Sequence, residues 1–249
     1  MSDPEVLARE LAYHEKLYSG FAQAHFARPA VRALRCHMVA RILYLTGAGK
    51  ASRVLSLGCG IGDTELLLAP YVGEIVGVDL SPAAIRQARF DAERAGVKNV
   101  RFIEGTDADG VFDVVIAIFF LHHLPDSDLA QLPGRLPLRE GGVFYSLDPS
   151  RRRLSGAVGR RLIPWMMKRY QTPDERELLP EATCALFTDA GYASRVEMYD
   201  FGSSPLAGLL PGWSWGYGFA RLFDDWLMRW DWFRRRGSNF EIVATKGGR

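Results

Sequence analysis

Three glycines alternate with other residues in Leu57-Gly-Cys-Gly-Ile-Gly-Asp63, and an acid closes the run. Gly58, Gly60 and Gly62 allow backbone to pass very close to a ligand, because a Cβ at such positions would collide with it. The spacing is Gly-x-Gly-x-Gly, not the Gly-x-Gly-x-x-Gly of dinucleotide pyrophosphate sites. About twenty residues further on, Asp79 ends an apolar run, where a carboxylate can accept both hydroxyls of a ribose. Gly105-Thr-Asp-Ala108 forms a polar turn able to reach a base edge. Phe119-Phe-Leu-His-His-Leu-Pro125 then brings apolar surface and two imidazoles. Histidine titrates near neutral pH, so His122 or His123 could take a proton, or the pair could simply contribute to binding.

These groups meet only if the chain carries them to one edge of a sheet, and the pattern predicts that it does. Apolar strands are expected at Arg53–Leu57, Glu74–Leu80, Val100–Glu104, Phe112–Ile118, Gly142–Asp148, Ser194–Phe201 and Asn239–Thr245. Helical patterns cover 63–70 and 180–190, and a third helix begins at Ser81-Pro82, with serine at the cap and proline just inside, and stops at Gly96. Residues 125–140 read as helix or loop. Strands alternating with helices imply βαβ units, hence an α/β fold with a mostly parallel, doubly wound sheet. Ahead of it, helical patterns at 3–20 and 29–45 predict an N-terminal helical extension. Its Tyr13, His14, Tyr18, Phe21, His25 and Phe26 either line a pocket or pack the extension onto the core. Before the last strand, residues 203–236 form an apolar, aromatic insertion.

A chain of 249 residues can bury one sizeable core, and 48% hydrophobic with 24% charged residues is ordinary for a globular protein. A net charge of +2 makes no bulk electrostatic case for nucleic acid, so no specific nucleic-acid partner is expected. Cys36, Cys59 and Cys184 are scattered and lack metal spacing, so neither a disulfide framework nor a metal site is expected. The opening Met-Ser-Asp-Pro-Glu carries no apolar leader, and no run of ~18 apolar residues spans a membrane, which together predict a cytoplasmic protein. No Gly-x-Ser-x-Gly elbow supports hydrolase chemistry.

Leu57–Asp63, Val78-Asp-Leu-Ser-Pro82, Gly105–Ala108 and Phe112-Asp-Val-Val with Leu121-His-His-Leu-Pro-Asp126 resemble, in this order, the motifs of class I S-adenosylmethionine-dependent methyltransferases. The small-molecule branch, similar to the ubiquinone and menaquinone methyltransferases, is the nearest likeness. It implies a Rossmann-like, seven-stranded sheet whose last strand is antiparallel. It also implies roles for single residues. Gly58, Cys59 and Gly60 would border the methionyl part of S-adenosylmethionine, and Asp63 would bind its amino group. Asp79 would accept the ribose hydroxyls and Leu80 would flank the adenine. Asp107 and Ala108 would contact the adenine edge, with Thr106 in the acid's usual place because the turn carries one extra residue. Ile118 would lie beside the reactive end, and Tyr18 resembles the tyrosine of an N-terminal lid. His122 and His123 are the catalytic candidates. No Asn-Pro-Pro-Tyr-like motif follows the fourth strand, so methylation of an exocyclic base amine or a glutamine amide is not expected.

The expected organisation is a single domain over 1–249: a lid at 1–48, a cofactor core at 51–149, cap segments at 150–172 and 203–236, and sheet-completing segments at 173–202 and 237–247. The expected reaction is methyl transfer to an O, N or C atom of a small apolar or aromatic molecule. The alternatives are a lipid or membrane-surface substrate, with peripheral contact to the inner face of the membrane, and an inactive cofactor-binding regulator. Arginines and tryptophans in both cap segments carry the membrane alternative.

Overall fold

The structure is a computed structural model that describes residues 27–156, 161 and 177–247. The first predicted helix, with His14 and Tyr18, lies outside the described residues, as do His25 and most of the 157–176 segment. Seven strands form one sheet: β1 Arg53–Leu57, β2 Glu74–Asp79, β3 Val100–Glu104, β4 Phe112–Ile118, β5 Leu138–Pro149, β6 Ala193–Asp200 and β7 Asn239–Thr245. Their order is β3-β2-β1-β4-β5-β7-β6. Strands β1 to β5 pair in parallel, and β7 runs antiparallel to both neighbours. This is the class I methyltransferase Rossmann-like arrangement expected from the sequence.

The helices are α1 Pro29–Thr46, α2 Asp63–Leu68, α3 Pro82–Arg94, α4 Asp126–Arg135, α5 Pro180–Asp189, α6 Ser203–Leu209, α7 Ser214–Leu227 and α8 Asp231–Arg234. One face of the sheet buries Leu34, Met38 and Ile42 of α1 with Leu68 of α2, Ala207 of α6 and Tyr217 of α7 against Val54, Ile116, Tyr145 and Val243. On the same face, Ile85, Ala88 and Ala92 of α3 pack on Phe102 and Cys59. The other face takes Leu129 of α4 and Phe187 of α5 against Leu55, Val76, Val115 and Phe144. Both faces being covered explains why β1 and β4 carry apolar side chains on both sides of the sheet.

Local chemistry sets the boundaries. Ser81 caps α3, its side chain accepting from the Ala84 N–H at 3.2 Å, with Pro82 in the first turn. Gly47, at φ 66°, closes α1 and donates its N–H to the Leu43 carbonyl. The 125–140 stretch resolves into α4 and the start of β5, which begins at Leu138 instead of Gly142 because Leu138 pairs with Phe112 across a register shift. The insertion at 203–236 is three helices, α6 to α8. Strand β1 ends where β2 lies to one side and β4 to the other, the switch point at which the crevice of such sheets opens.

Helix α1 is fastened to the far half of the sheet by one buried ion pair. Arg41 reaches Glu241 on β7, with its Nε 3.4 Å from Oε2, and the Tyr145 hydroxyl donates to the same carboxylate at 3.0 Å. The Glu241 side chain is only 1% exposed. Removing Arg41 strands that charge in the core, so Arg41→Ala should cost about 3 kcal/mol, far above a surface pair. Urea denaturation measures it, and a loss under about 1 kcal/mol would mark the contact as an ordinary solvated pair.

Candidate active site

The glycine turn leaves β1 and enters α2 with Gly58, Gly60 and Gly62 all left-handed, at φ 64°, 54° and 75°. Only glycine adopts that conformation without strain. Two of these glycines are also demanded by the protein's own side chains. A Cβ on Gly58 would stand 2.3 Å from the Phe120 ring, and one on Gly62 would stand 2.4 Å from Phe102. The close approach at Gly58 therefore involves the Phe120 ring and that at Gly62 the buried core ring of Phe102, beyond any ligand. Cys59 donates its N–H to the Val78 carbonyl at 3.0 Å and turns its side chain inward against Gly77 and the α3 cluster. Its backbone alone borders the crevice, and burial raises the thiol well above its ordinary pKa.

Asp79 gathers the surrounding loops. Its Oδ2 accepts from the Gly60 N–H and its Oδ1 from the Ser81 N–H, each at 2.8 Å. Its backbone carbonyl accepts from the Gly105 N–H at 2.9 Å. The β1–α2 loop, the β2–α3 turn and the β3–β4 turn thus converge on one residue. Leu80 beside it is 42% exposed, an apolar surface facing solvent at the crevice edge. In the third loop Thr106 and Asp107 are exposed and joined by a 3.0 Å hydrogen bond, and Ala108 packs partly on the core.

Asp63 opens α2 in an ion pair with Arg35 of α1 at 2.8 Å, and Arg35 also donates to the Thr64 hydroxyl at 3.0 Å. An N-terminal carboxylate suits the helix dipole. Glu65 lies one residue beyond, 2% exposed, with Oε1 accepting from the Ser56 hydroxyl at 2.6 Å. Burial raises its pKa to about 7, with Asp63 adding to the rise while Ser56 and Arg35 oppose it.

The opposite wall follows β4. Ile118 is half-buried against the α1 side of the core. Phe119 is the one non-glycine with positive φ among the described residues, at 53°, and donates its N–H to the Leu147 carbonyl at 2.7 Å. Such a conformation costs about 1–3 kcal/mol and gathers at functional rims. It sends Phe119 towards Arg35 and Phe120 onto Gly58. In the 3-10 turn Leu121–His123, His122 is buried, its Nδ1 2.9 Å from Asp148 Oδ1 at the end of β5. Burial holds the Asp148 carboxyl well above its usual range, opposed by backbone N–H groups of residues 120–122. His123 is half-buried, its ring 4.1 Å from that of His122.

Of the expected site residues, Gly58, Cys59, Gly60, Asp63, Asp79 and Leu80 lie along one side of this crevice. Thr106, Asp107 and Ala108 lie in the turn tied to it, and Ile118, His122 and His123 follow the strand opposite; Tyr18 falls outside the described residues. Arg35, Glu65 and Asp148 were not singled out from the sequence, whereas Phe119 and Phe120 were expected as apolar surface at this rim. For Glu65 and Asp148 the available signal was an acid embedded in an apolar run, at Thr64-Glu-Leu-Leu-Leu68 and Phe144-Tyr-Ser-Leu-Asp148. Left-handed glycines whose loop closes on a carboxylate fit a nucleoside cofactor with an amino-acid tail. No group of three or more His, Cys, Asp or Glu side chains among the described residues is arranged to hold a metal ion.

Because Glu65 binds its proton more tightly folded than unfolded, its contribution to stability falls as pH rises from about 4.5 to about 7. Glu65→Gln should remove that decline, gaining on the order of 3 kcal/mol relative to the wild type between pH 5 and pH 8. His37, lowered to about 4 by burial, acts in the opposite direction in both proteins and cancels in the difference. Denaturation at a series of pH values checks this, and parallel stability curves would refute a buried, shifted Glu65.

A family model described as a methyltransferase domain matches residues 48–185. The chain is 36% identical over 101 residues to the uncharacterized methyltransferase YcgJ of Bacillus subtilis (strain 168), covering 39% of this chain and 40% of that protein. The match therefore spans under half of that relative. It is 32% identical over 175 residues to a demethylmenaquinone methyltransferase of Thermus thermophilus, covering 60% of this chain and 78% of that protein. Among solved structures, DhpI in complex with SAH aligns over the whole of both chains with a TM-score of 0.62 at 16% identity, a likeness of fold.

Proposed function

This chain belongs to the class I S-adenosylmethionine-dependent methyltransferase family, and on that premise we propose that it methylates a small apolar or aromatic molecule. Bound S-adenosylmethionine supplies an activated sulfonium methyl, which an acceptor O, N or C atom attacks in line. The observation that carries the reading is the convergence at the β1–β4 switch point of the latched glycine loop on one side and Ile118, Phe119 and Phe120 on the other. Apolar walls suit an apolar acceptor and keep water from the reacting atoms. The relative from Thermus thermophilus, named for a demethylmenaquinone substrate, supports the same class of acceptor.

In this reading Gly58, Cys59 and Gly60 offer backbone to the methionyl part. Asp63 takes the amino group while Arg35 fixes its carboxylate. Asp79 takes the ribose hydroxyls, Leu80 and Ala108 flank the adenine, and Thr106 and Asp107 meet its edge. His122 acts as the base for a hydroxyl or amine acceptor, its ring held in place by the 2.9 Å contact of Nδ1 with Asp148. His123 lies beside it, the two rings tilted.

Purified protein incubated with S-adenosylmethionine and a panel of quinols, phenols and amines should form S-adenosylhomocysteine with at least one member. His122→Ala should then lower turnover by about 10²–10⁴-fold without a matching change in cofactor affinity. Turnover on RNA alone, or cofactor binding with no turnover on any acceptor, would overturn the small-molecule reading.

A further inference from the structure

The five tryptophans among the described residues all sit between Trp213 and Trp232, and all are more than half exposed, from 51% at Trp226 to 76% at Trp215. Tryptophan is ordinarily one of the most covered side chains, and a soluble monomer seldom exposes a large contiguous apolar patch. Most of the patch belongs to one face of α7. Trp215, Phe219, Leu222 and Trp226 recur at helical spacing, Phe223 lies beside them, and Trp230 continues the row. Phe223 and Trp226 stack at 5.5 Å, and Trp230 meets Trp226 edge-on at 6.5 Å.

The helix cannot turn this stripe inward, because its other face is fixed. Tyr217 and Leu227 are buried, and the buried Asp224 carboxylate accepts from the N–H groups of Gly202 and Ser203 at 2.9 and 2.8 Å. Arg221 donates to the Tyr199 carbonyl at 2.7 Å and to Asp225 at 2.7 Å. Apolar exposure is thus held outward by polar anchors at the back.

The charge around the stripe selects its occupant. From 214 to 236 the chain has five arginines against three aspartates. One aspartate is buried at the back of the helix, and the other two pair with Arg221 and Arg234. Arg229 and Arg235 are exposed beside the tryptophans, and Arg236 lies 4.2 Å over the Trp232 ring. A second copy of the same surface would set arginine against arginine, whereas an anionic lipid surface complements it. At 14 residues α7 is about 21 Å long, and no described helix is long and apolar enough to cross a membrane. A helix with an aromatic face bordered by arginines lies in the plane of the interface, its rings at headgroup depth.

We propose that the outer face of α7, continued by Trp230, docks this protein onto anionic membrane surfaces. Helix α7 packs on α1, which carries Arg35, so the docked face is one helix away from the crevice. The surface stands whatever the acceptor, and it would bring a membrane-dissolved acceptor close to the crevice.

The test uses the whole chain and two sets of vesicles, phosphatidylcholine alone and an equimolar mixture with phosphatidylglycerol. Wild type should co-sediment with the mixed vesicles, bind phosphatidylcholine far less, release as salt is raised, and shift its tryptophan emission to the blue on binding. Trp215→Ser/Phe219→Ser should weaken binding to mixed vesicles about tenfold or more. Arg229→Glu/Arg235→Glu should remove the preference for anionic lipid and leave S-adenosylhomocysteine affinity unchanged. Absence of vesicle binding at low salt would overturn the proposal, all the more if light scattering shows a dimer that Trp215→Ser/Phe219→Ser dissociates. Equal binding to both vesicle types would overturn its anionic part.

Discussion

The hydrogen bonds of the Asp79 side chain are the constraint on which the crevice depends. A carboxylate accepting backbone N–H groups makes charge-assisted bonds, roughly twice as strong as neutral ones. Here one oxygen holds the tip of the glycine turn at Gly60 and the other holds the start of α3 at Ser81. The Asp79 carbonyl then catches Gly105 at the head of the next loop. Left-handed backbone at Gly58, Gly60 and Gly62 is what turns the Gly60 N–H towards the carboxylate. In the proposed complex Asp79 does two jobs, shaping the loop before any ligand arrives and offering its remaining lone pairs to a ribose. Preorganisation of this kind lowers the ordering cost of binding.

A second layer keeps that edge in register with the sheet. Helix α1 is locked to β7 through Arg41 and Glu241 at one end, and its Arg35 reaches Asp63 at the other. Arg35 also lies 5.9 Å from the Phe119 ring, so the same guanidinium touches both sides of the crevice. The strained Phe119 and the Phe120 ring over Gly58 tie the β4 wall to the glycine turn. Movement of α1 would therefore be felt on both walls.

The sheet was legible in the sequence because its strands are buried on both faces and punctuated by strong stop signals. Ser81-Pro82 and Gly96 bracket α3 closely, and the glycine turn is unmistakable as backbone chemistry. What was hidden depended on three-dimensional partners. The apolar run around Glu65 hints at burial, but its partner, the Ser56 hydroxyl on β1, appears only in the fold. Asp148 acquires meaning only once β5 lies beside β4 and the His122 ring arrives above it. The left-handed Phe119 has no sequence marker, since aromatic residues rarely adopt that conformation. Helices α6 to α8 were obscured by Pro205, Gly208, Pro211, Gly212, Gly216 and Gly218, which interrupt helical periodicity although tertiary packing sustains the helices. Cys59 is visible in the sequence as part of the turn, but the inward aim of its side chain depends on the space left by Gly77.

The central claim is that the edge organised by Asp79 holds the nucleoside of S-adenosylmethionine. Calorimetric titration of S-adenosylhomocysteine into wild type and Asp79→Ala tests it most directly, with a thermal melt confirming that the variant is folded. Losing a charge-assisted contact worth about 1.5–3 kcal/mol should weaken affinity roughly tenfold to a hundredfold. A folded Asp79→Ala protein that binds S-adenosylhomocysteine as tightly as wild type would contradict the account.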